Sequence, residues 1–485
     1  MNAGLVTFDY LVFKKLPMNR NLAFALYFAI LVALLYLSKF VKVSLLESET
    51  SYDYKMSTSE KPIINADSKS NIPELSSKEF IKADGTLFKK NNKSHYIIGA
   101  NYWQAMNLGA PENGNRTRVL KDLETLKKYG VNYVRIIAGS EGPDGEPYRM
   151  HPALMNSPGD YNENVFQGLD WFLAQLSQFN MTAIMTLSNY WHWSGGFAQY
   201  VNWADPSKPI PYPVPGDYLS FELYAARFYS DSSIYSKTQS YYLAHIKSII
   251  TRKNTITGQI YKNDPNIFAW ELANEPQAIR VENDSHDIIF KWIDDTAKFI
   301  KELDKNHLVS TGAEGKNGEE WFITMHKSPH IDFTSAHIWV ENWGYYNSDN
   351  PSLENYQKAE TFMLSFIQNV SDWSTQINKP LLVGEYGMAR DAWSGESKYS
   401  PLATVINRTK YFTSLANKVF ELEKQKACTG HVFWAFAGIA RPSDPPPTWI
   451  GDPPHEPPGW YSIYDSDEKT LNVFSEHAKQ VAELN

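Results

Sequence analysis

From Phe80 to the C-terminus, short runs of β-branched and aromatic residues alternate with longer amphipathic stretches, eight times over. The strand candidates are Tyr96–Ala100, Tyr133–Ile137, Ala183–Leu187, Ile267–Leu272, Leu308–Thr311, Phe333–Ile338, Leu381–Glu385 and Val432–Ala435. Each lacks polar alternation, as expected for parallel strands covered on both faces. Helical patterns follow at Arg116–Tyr129, Asn164–Phe179, Lys237–Thr251, Ser285–Leu303, Gly318–His326, Leu353–Ile377, Pro401–Lys426 and Glu468–Leu484. In the first, Leu123, Leu126 and Tyr129 mark one face with charges between them, and Gly130 closes the helix. Eight such units make either a (β/α)8 barrel or a doubly wound open sheet. No G-x-G-x-x-G follows the first strand, and no G-x-x-x-x-G-K-[ST] occurs anywhere, so the phosphate cradles that would favour the open sheet are missing. The expectation is an α/β fold, a TIM barrel over residues 80–485, with chemistry on the loops after the strands.

Composition narrows the function. The 46 Lys+Arg against 54 Asp+Glu leave a net charge of -8, which argues against a nucleic-acid partner. Cys428 is the only cysteine, so there is no disulfide framework, thiolate zinc site or redox pair. The 15 Trp, 29 Tyr and 25 Phe are in excess; they either fill a large core or stack on a flat ligand such as a sugar.

The N-terminal part stands apart from the barrel. After a basic segment, residues 1–21, the uninterrupted apolar run Leu22–Leu37 extends through Val41 to about the length of a bilayer span. It leaves through Leu37-Ser38-Lys39, a poor cleavage site, which favours an uncleaved signal-anchor over a cleaved signal peptide. Residues 42–79, rich in Ser, Lys, Asp and Glu, read as a flexible stalk. The chain is expected in the secretory route, extracellular or anchored by a single pass with the barrel outside. Six Asn-x-Ser/Thr sequons are compatible with that route.

Two strands run out into a Glu. The fourth ends as Trp270-Glu271-Leu272-Ala273-Asn274-Glu275-Pro276 and the seventh as Leu382-Val383-Gly384-Glu385-Tyr386-Gly387. These strands face each other across a barrel mouth, where two carboxylates can flank a scissile glycosidic bond. Taken singly, either Glu is as well explained by a cap or a salt bridge; the pair is not.

Trp270 to Pro276 resembles the acid/base signature of glycoside hydrolase family 5, within the large clan of retaining (β/α)8 glycosidases. Other positions match in order: Arg135 on the second strand, His337-Ile338-Trp339 on the sixth, Glu385 on the seventh and Trp434 on the eighth. Within the family the chain is most similar to endo-β-1,4-mannanases, through Asn101-Tyr102-Trp103, Asn189 to Gly196 and His337 to Trp343. The resemblance implies Glu275 as acid/base and Glu385 as nucleophile, with Arg135 keeping Glu385 ionised. It implies Asn274, Arg135, His337, Trp339, Trp434 and Trp103 as substrate-binding groups. In most of the family the strand-six aromatic is Tyr; here it is Trp339, whose indole donates and cannot accept. Trp191 and Trp193 either pack the long third loop or touch sugar.

No cofactor or metal is expected, because His192, His337 and His455 lack metal-ligand spacing. The stretches Ser188–Tyr235 and Ala437–Ser462 are far longer than ordinary βα loops. The second is Pro-rich and reads as a stiff wall that lines further subsites or closes the cleft. The expected activity is internal cleavage of β-1,4-mannan, glucomannan or galactomannan by a monomer. The alternatives are an exo-acting β-mannosidase, a β-1,4-glucanase, and a non-catalytic polysaccharide-binding protein.

Overall fold

The computed structural model describes residues 79–213, 217–277, 285–392, 395–444 and 449–484. The segments read as basic leader, apolar anchor and stalk lie outside the described residues, apart from Glu79. Eight parallel strands form the barrel: β1 (Ile97–Asn101), β2 (Tyr133–Ile137), β3 (Thr182–Thr186), β4 (Ile267–Glu271), β5 (Leu308–Ser310), β6 (Thr334–Ile338), β7 (Leu381–Tyr386) and β8 (Gly430–Phe433). Ladder bonds run β5-β4-β3-β2-β1-β8-β7-β6. Side chains and loop backbone bridge the remaining seam. Ser310 Oγ donates to the Phe333 carbonyl at 3.0 Å and Ser335 Oγ to the Ala313 carbonyl at 3.0 Å, while the Asp332 N–H donates to the Val309 carbonyl at 2.8 Å.

The outer ring is α1 (Arg116–Lys128), α2 (Glu163–Phe179), α3 (Tyr235–Ile250), α4 (Ser285–Leu303), α5 (Glu319–His326), α6 (Leu353–Gln376), α7 (Ile406–Lys424) and α8 (Glu468–Ala482). Gly130 follows α1 with φ +80°, and a Cβ there would meet the Ala478 side chain of α8 at 2.6 Å. The helix expected from Pro401 starts only at Ile406. Its free N-terminal donors find their acceptor in a remote side chain: the Asp391 carboxylate accepts from the Ile406 N–H at 2.5 Å and the Asn407 N–H at 3.2 Å.

Alternation inside the barrel separates its two ends. Ile97, Tyr133, Ile184 and Ala269 form an apolar layer at the lower end. One or two side-chain steps further, the same strands present Asn101, Arg135, Thr186 and Glu271, all buried. A short antiparallel sheet, Lys82–Asp84, Leu87–Lys90 and Lys93–His95, precedes β1. It drives Phe88 edge-on against Phe268 (5.0 Å) and Phe333 (5.3 Å), plugging the bottom. The sequence reading did not find this sheet, whose strands are too short and too rich in Lys to show a pattern.

Two further helices, Gly196–Ala204 and Tyr218–Ser230, lie within the long stretch after β3. Phe197 stacks flat on Phe228 at 4.1 Å and fastens them together. The strand-eight insertion is tied down by Asp452, whose carboxylate accepts from the Gly459 and Tyr461 N–H groups and the Ser462 hydroxyl. At its root Gly438 has φ +59°, and a Cβ there would sit 1.8 Å from Oδ1 of the buried Asp122. Gly438→Ala is therefore expected to destabilise the barrel by about 1–3 kcal/mol in chemical denaturation, with activity falling as the wall loses its seat.

Candidate active site

Arg135 stands at the centre of the barrel mouth and is paired through all three of its nitrogens. Its Nε donates to Glu271 Oε2 at 2.7 Å, Nη1 to Glu385 Oε1 at 2.5 Å and Asn101 Oδ1 at 3.0 Å, and Nη2 to Asn274 Oδ1 at 2.9 Å. Burial opposes its charge, and the carboxylates of Glu271 and Glu385 outweigh burial, so the guanidinium stays protonated. Glu271, which also accepts from Thr186 Oγ1 at 2.8 Å, is a third buried carboxylate that the sequence reading quoted but gave no role.

Glu275 lies one turn beyond β4 with φ +54°, a conformation costly for a side chain of its type. Neighbouring loops hold the turn in place. The Asn274 N–H donates to the Ser188 carbonyl at 2.9 Å, and the Glu275 N–H to the Gly312 carbonyl at 2.9 Å. Gly312 itself has φ +74°, and a Cβ there would meet the Ala273 carbonyl oxygen at 2.1 Å. On the other side, the ladder between β6 and β7 shifts register after Ala336, which sets His337 opposite Glu385.

His337 Nδ1 is 2.7 Å from Glu275 Oε1 and 3.5 Å from Glu385 Oε2. Burial, reinforced by Arg135, drives its pKa well below the usual imidazole range, so the ring is neutral. Glu275 receives two indole donors: Trp191 Nε1 on Oε2 at 2.5 Å and Trp339 Nε1 on Oε1 at 3.3 Å. The strand-six Trp thus donates to the strand-four carboxylate. Burial pushes both Glu275 and Glu385 upward. Arg135 pulls Glu385 down by direct contact, but it shares its charge with Glu271, so it does not hold Glu385 ionised unopposed. Glu275 has no direct contact with the guanidinium, whose Nη1 donates to Glu385 instead.

These groups open into a cleft of about 600 Å³, lined by Trp191, Trp193, Trp339, Trp343, Trp434 and Trp460 together with Asn274, Glu275 and Glu385. Trp434 meets Trp193 edge-on at 6.1 Å and Trp339 at 5.9 Å. Trp103, expected at the mouth, is not part of the lining. It is buried behind Trp193 (5.5 Å) and Trp449 (5.7 Å), and its indole donates to the Gly451 carbonyl at 2.8 Å. The Pro-rich insertion does form a wall, through Pro453, His455, Glu456, Pro457 and Trp460.

Several lining residues were missed. Glu314, pushed up to about 8 by burial and by Glu275, accepts from Lys316 Nζ at 2.8 Å and Gln277 Nε2 at 2.8 Å. Its signal was available, since it follows Gly312 just beyond β5. Glu456 had none, because nothing local says which way a Pro-rich loop turns. Among the described residues, one donor atom each from Glu275, His337 and Glu385 come within 4.8 Å of one another, close enough for a cation. Arg135 already supplies positive charge at Glu385, so the site's electrostatics do not call for one.

A family model described as GH family 5 beta-mannosidase-like matches residues 78–485. This chain belongs to glycoside hydrolase family 5. Mannan endo-1,4-beta-mannosidase 1 of Arabidopsis thaliana is 32% identical over 377 residues, 73% of this chain and 81% of that protein. The family 5 mannosidase of Rhizomucor miehei is 41% identical and superposes with a TM-score of 0.79, covering 84% of this chain and 98% of the other. A mutant of that mannosidase is known in complex with mannosyl-fructose. The protein is accordingly a glycoside hydrolase of a retaining family on the barrel expected from its sequence.

Removing the central guanidinium leaves Glu271 and Glu385 buried without their counter-charge. Arg135→Ala is expected to cost about 3–5 kcal/mol in urea denaturation and to abolish turnover. The deficit should grow as pH rises, because the folded variant then has to ionise Glu385 in the core or hold a proton the unfolded chain releases.

Proposed function

We propose that this family 5 enzyme cleaves β-1,4-linked mannosides by double displacement, with Glu275 as acid/base and Glu385 as nucleophile. The observation that carries the reading is the carboxylate pair on opposed strands, with an oxygen of each within 4.8 Å. That approach suits direct attack on the sugar, whereas inversion needs about 6.5–9.5 Å to admit water. Protonated Glu275 gives its proton to the leaving oxygen while Glu385 bonds C1. Esterification removes the negative charge on Glu385, the Glu275 pKa falls, and the carboxylate then takes a proton from the incoming water. Asn274 keeps one amide hydrogen for the sugar 2-hydroxyl, since its oxygen is taken by Arg135 and its other hydrogen points to Asn189 Oδ1 at 3.2 Å.

For the substrate, the names of the plant relatives support mannan, and the indole-rich lining suits pyranose faces. Internal cleavage is the leading mode. An exo mode is favoured by one contact: His455 of the strand-eight wall packs 4.9 Å from His192 of the strand-three insertion. That contact brings the two insertions together at the edge of the cleft and can block one end. Product analysis with mannohexaose separates the two, because internal cleavage yields a mixture of short oligosaccharides early, whereas exo action yields mannose and mannopentaose first. Parallel incubation with cellohexaose tests the glucanase alternative. Glu385→Ala is expected to lower turnover about 10³-fold or more. Azide should restore part of it, with a product of inverted anomeric configuration.

For localisation, the proposal is a monomer held at the secretory face by the apolar run Leu22–Val41. Of the sequon residues, Asn407 is buried and gives its amide to Tyr346 Oη and the Pro351 carbonyl, so the folded chain withholds it from a glycan. Activity is expected to pellet with membranes, resist carbonate extraction and come free on proteolysis in residues 42–79. Activity in the medium with a mature N-terminus beyond Ser38 would reject the anchor.

A further inference from the structure

Trp191 sits in the wall of the cleft, where an indole is ordinarily read as a platform for sugar. Its edge is committed elsewhere. The ring lies flat on Phe221 of the insertion helix Tyr218–Ser230 at 6.2 Å, with an interplanar angle of 16°, and meets Tyr190 and Tyr218 edge-on. Its backbone N–H donates to Asn189 Oδ1 at 3.0 Å, the oxygen that also accepts from Asn274 Nδ2 at 3.2 Å. The Tyr190 N–H donates to the Asn274 carbonyl at 2.9 Å. Trp191 and Glu275 are therefore referenced to one another through the Asn189–Asn274 junction, and the indole N–H reaches Glu275 Oε2 at 2.5 Å.

We propose that Trp191 is a positioning residue for the acid/base: its indole N–H holds Glu275 in its strained turn and stabilises the carboxylate that forms as the proton leaves. This rests on the assignment of Glu275 as acid. An indole N–H donates and cannot accept, so Trp191 takes no proton from Glu275 and its bond strengthens as negative charge develops there. A donor fixed where charge appears lowers the barrier without reorganising at the moment of reaction. Trp339 Nε1 makes the weaker, 3.3 Å counterpart on Oε1. Burial raises the Glu275 pKa and the Trp191 bond opposes it, which agrees in sign with the geometry. The strand-three insertion thereby becomes part of the catalytic apparatus, because the helix carrying Phe221 seats the ring that seats the acid.

The test uses the full chain with Trp191→Phe, which keeps an aromatic face and deletes the donor. A second variant carries 3-benzothienylalanine at position 191, a near-isostere of tryptophan with sulfur in place of N–H. The second variant keeps the proposal falsifiable if Trp191→Phe fails to fold. Both are expected to lower kcat/KM for mannotetraose about 10²-fold. Both should also move the alkaline limb of its pH profile up by about one unit, since loss of a donor to the ionised form raises the acid's pKa. A 2,4-dinitrophenyl β-mannoside, which needs little protonation of its leaving group, should lose far less. Trp339→Phe should shift the limb in the same direction by a smaller amount. A rise in KM on both substrates with the alkaline limb unmoved would overturn the proposal and make Trp191 a stacking surface. Glu275→Ala on the same two substrates separates the layers of the argument. Equal losses would remove the assignment of Glu275 itself. A loss confined to the oligosaccharide, with an unmoved limb in the Trp191 variants, would remove only the clamp.

Discussion

The guanidinium of Arg135 is the interaction on which the upper half of this barrel depends. A buried charge is tolerable only when it is paired and its donors are used, and this one spends three nitrogens on four acceptors from three other parts of the barrel. Asn101 ends β1, Glu271 ends β4, Asn274 opens the turn after it, and Glu385 lies near the end of β7. One rigid fork thus sets the relative positions of strands that have no ladder bond to each other. A lysine could not substitute, since a single ammonium has neither the spread nor the planarity to reach all four groups.

Stability and chemistry occupy opposite ends of the same interior. At the lower end the apolar layer, capped by Phe88, is close-packed, and it anchors the strands from which the polar layer rises. At the upper end the carboxyls of Glu271, Glu275 and Glu385, the Arg135 guanidinium and the neutral His337 imidazole repel, attract and share protons in a low-dielectric pocket. The strained Glu275 backbone belongs to that end, and the hydrogen bonds that hold it come from the loops after β3 and β5. Strain at a working group is supported by the surrounding fold, with no help from the segment that bears it.

The aromatic excess in the composition has a double answer. Phe197, Phe228, Tyr242 and Trp292 pack the strand-three insertion onto the barrel, whereas Trp339, Trp343, Trp434 and Trp460 face the cleft. Trp103 and Trp191 show why a strand-end position alone did not sort them. Trp103 is next to β1 yet turned inward against Trp449, and Trp191 is on the wall yet spends its N–H on Glu275.

What the amino-acid sequence determined by itself is the periodic part and the chemically specific part. Eight unalternating apolar runs between amphipathic helices admit few folds, and Asn274-Glu275-Pro276 with Gly384-Glu385 at the ends of two such runs locates a carboxylate pair without coordinates. Strand ends were legible because they follow from local pattern: all eight barrel strands fall within two residues of their expected limits. The late start of α7 was not, because its N-terminal donors are satisfied by Asp391, an acceptor fifteen residues from Ile406 that no local motif announces. The same limit hid the plug at Phe88, the role of Glu271, the inward turn of Trp103 and the indole on Glu275. Each of these is a contact between chain segments far apart in sequence. Its partner is chosen by where the closed barrel brings two loops, and that choice is made by packing and by the need to pair buried charge, which only the tertiary structure resolves.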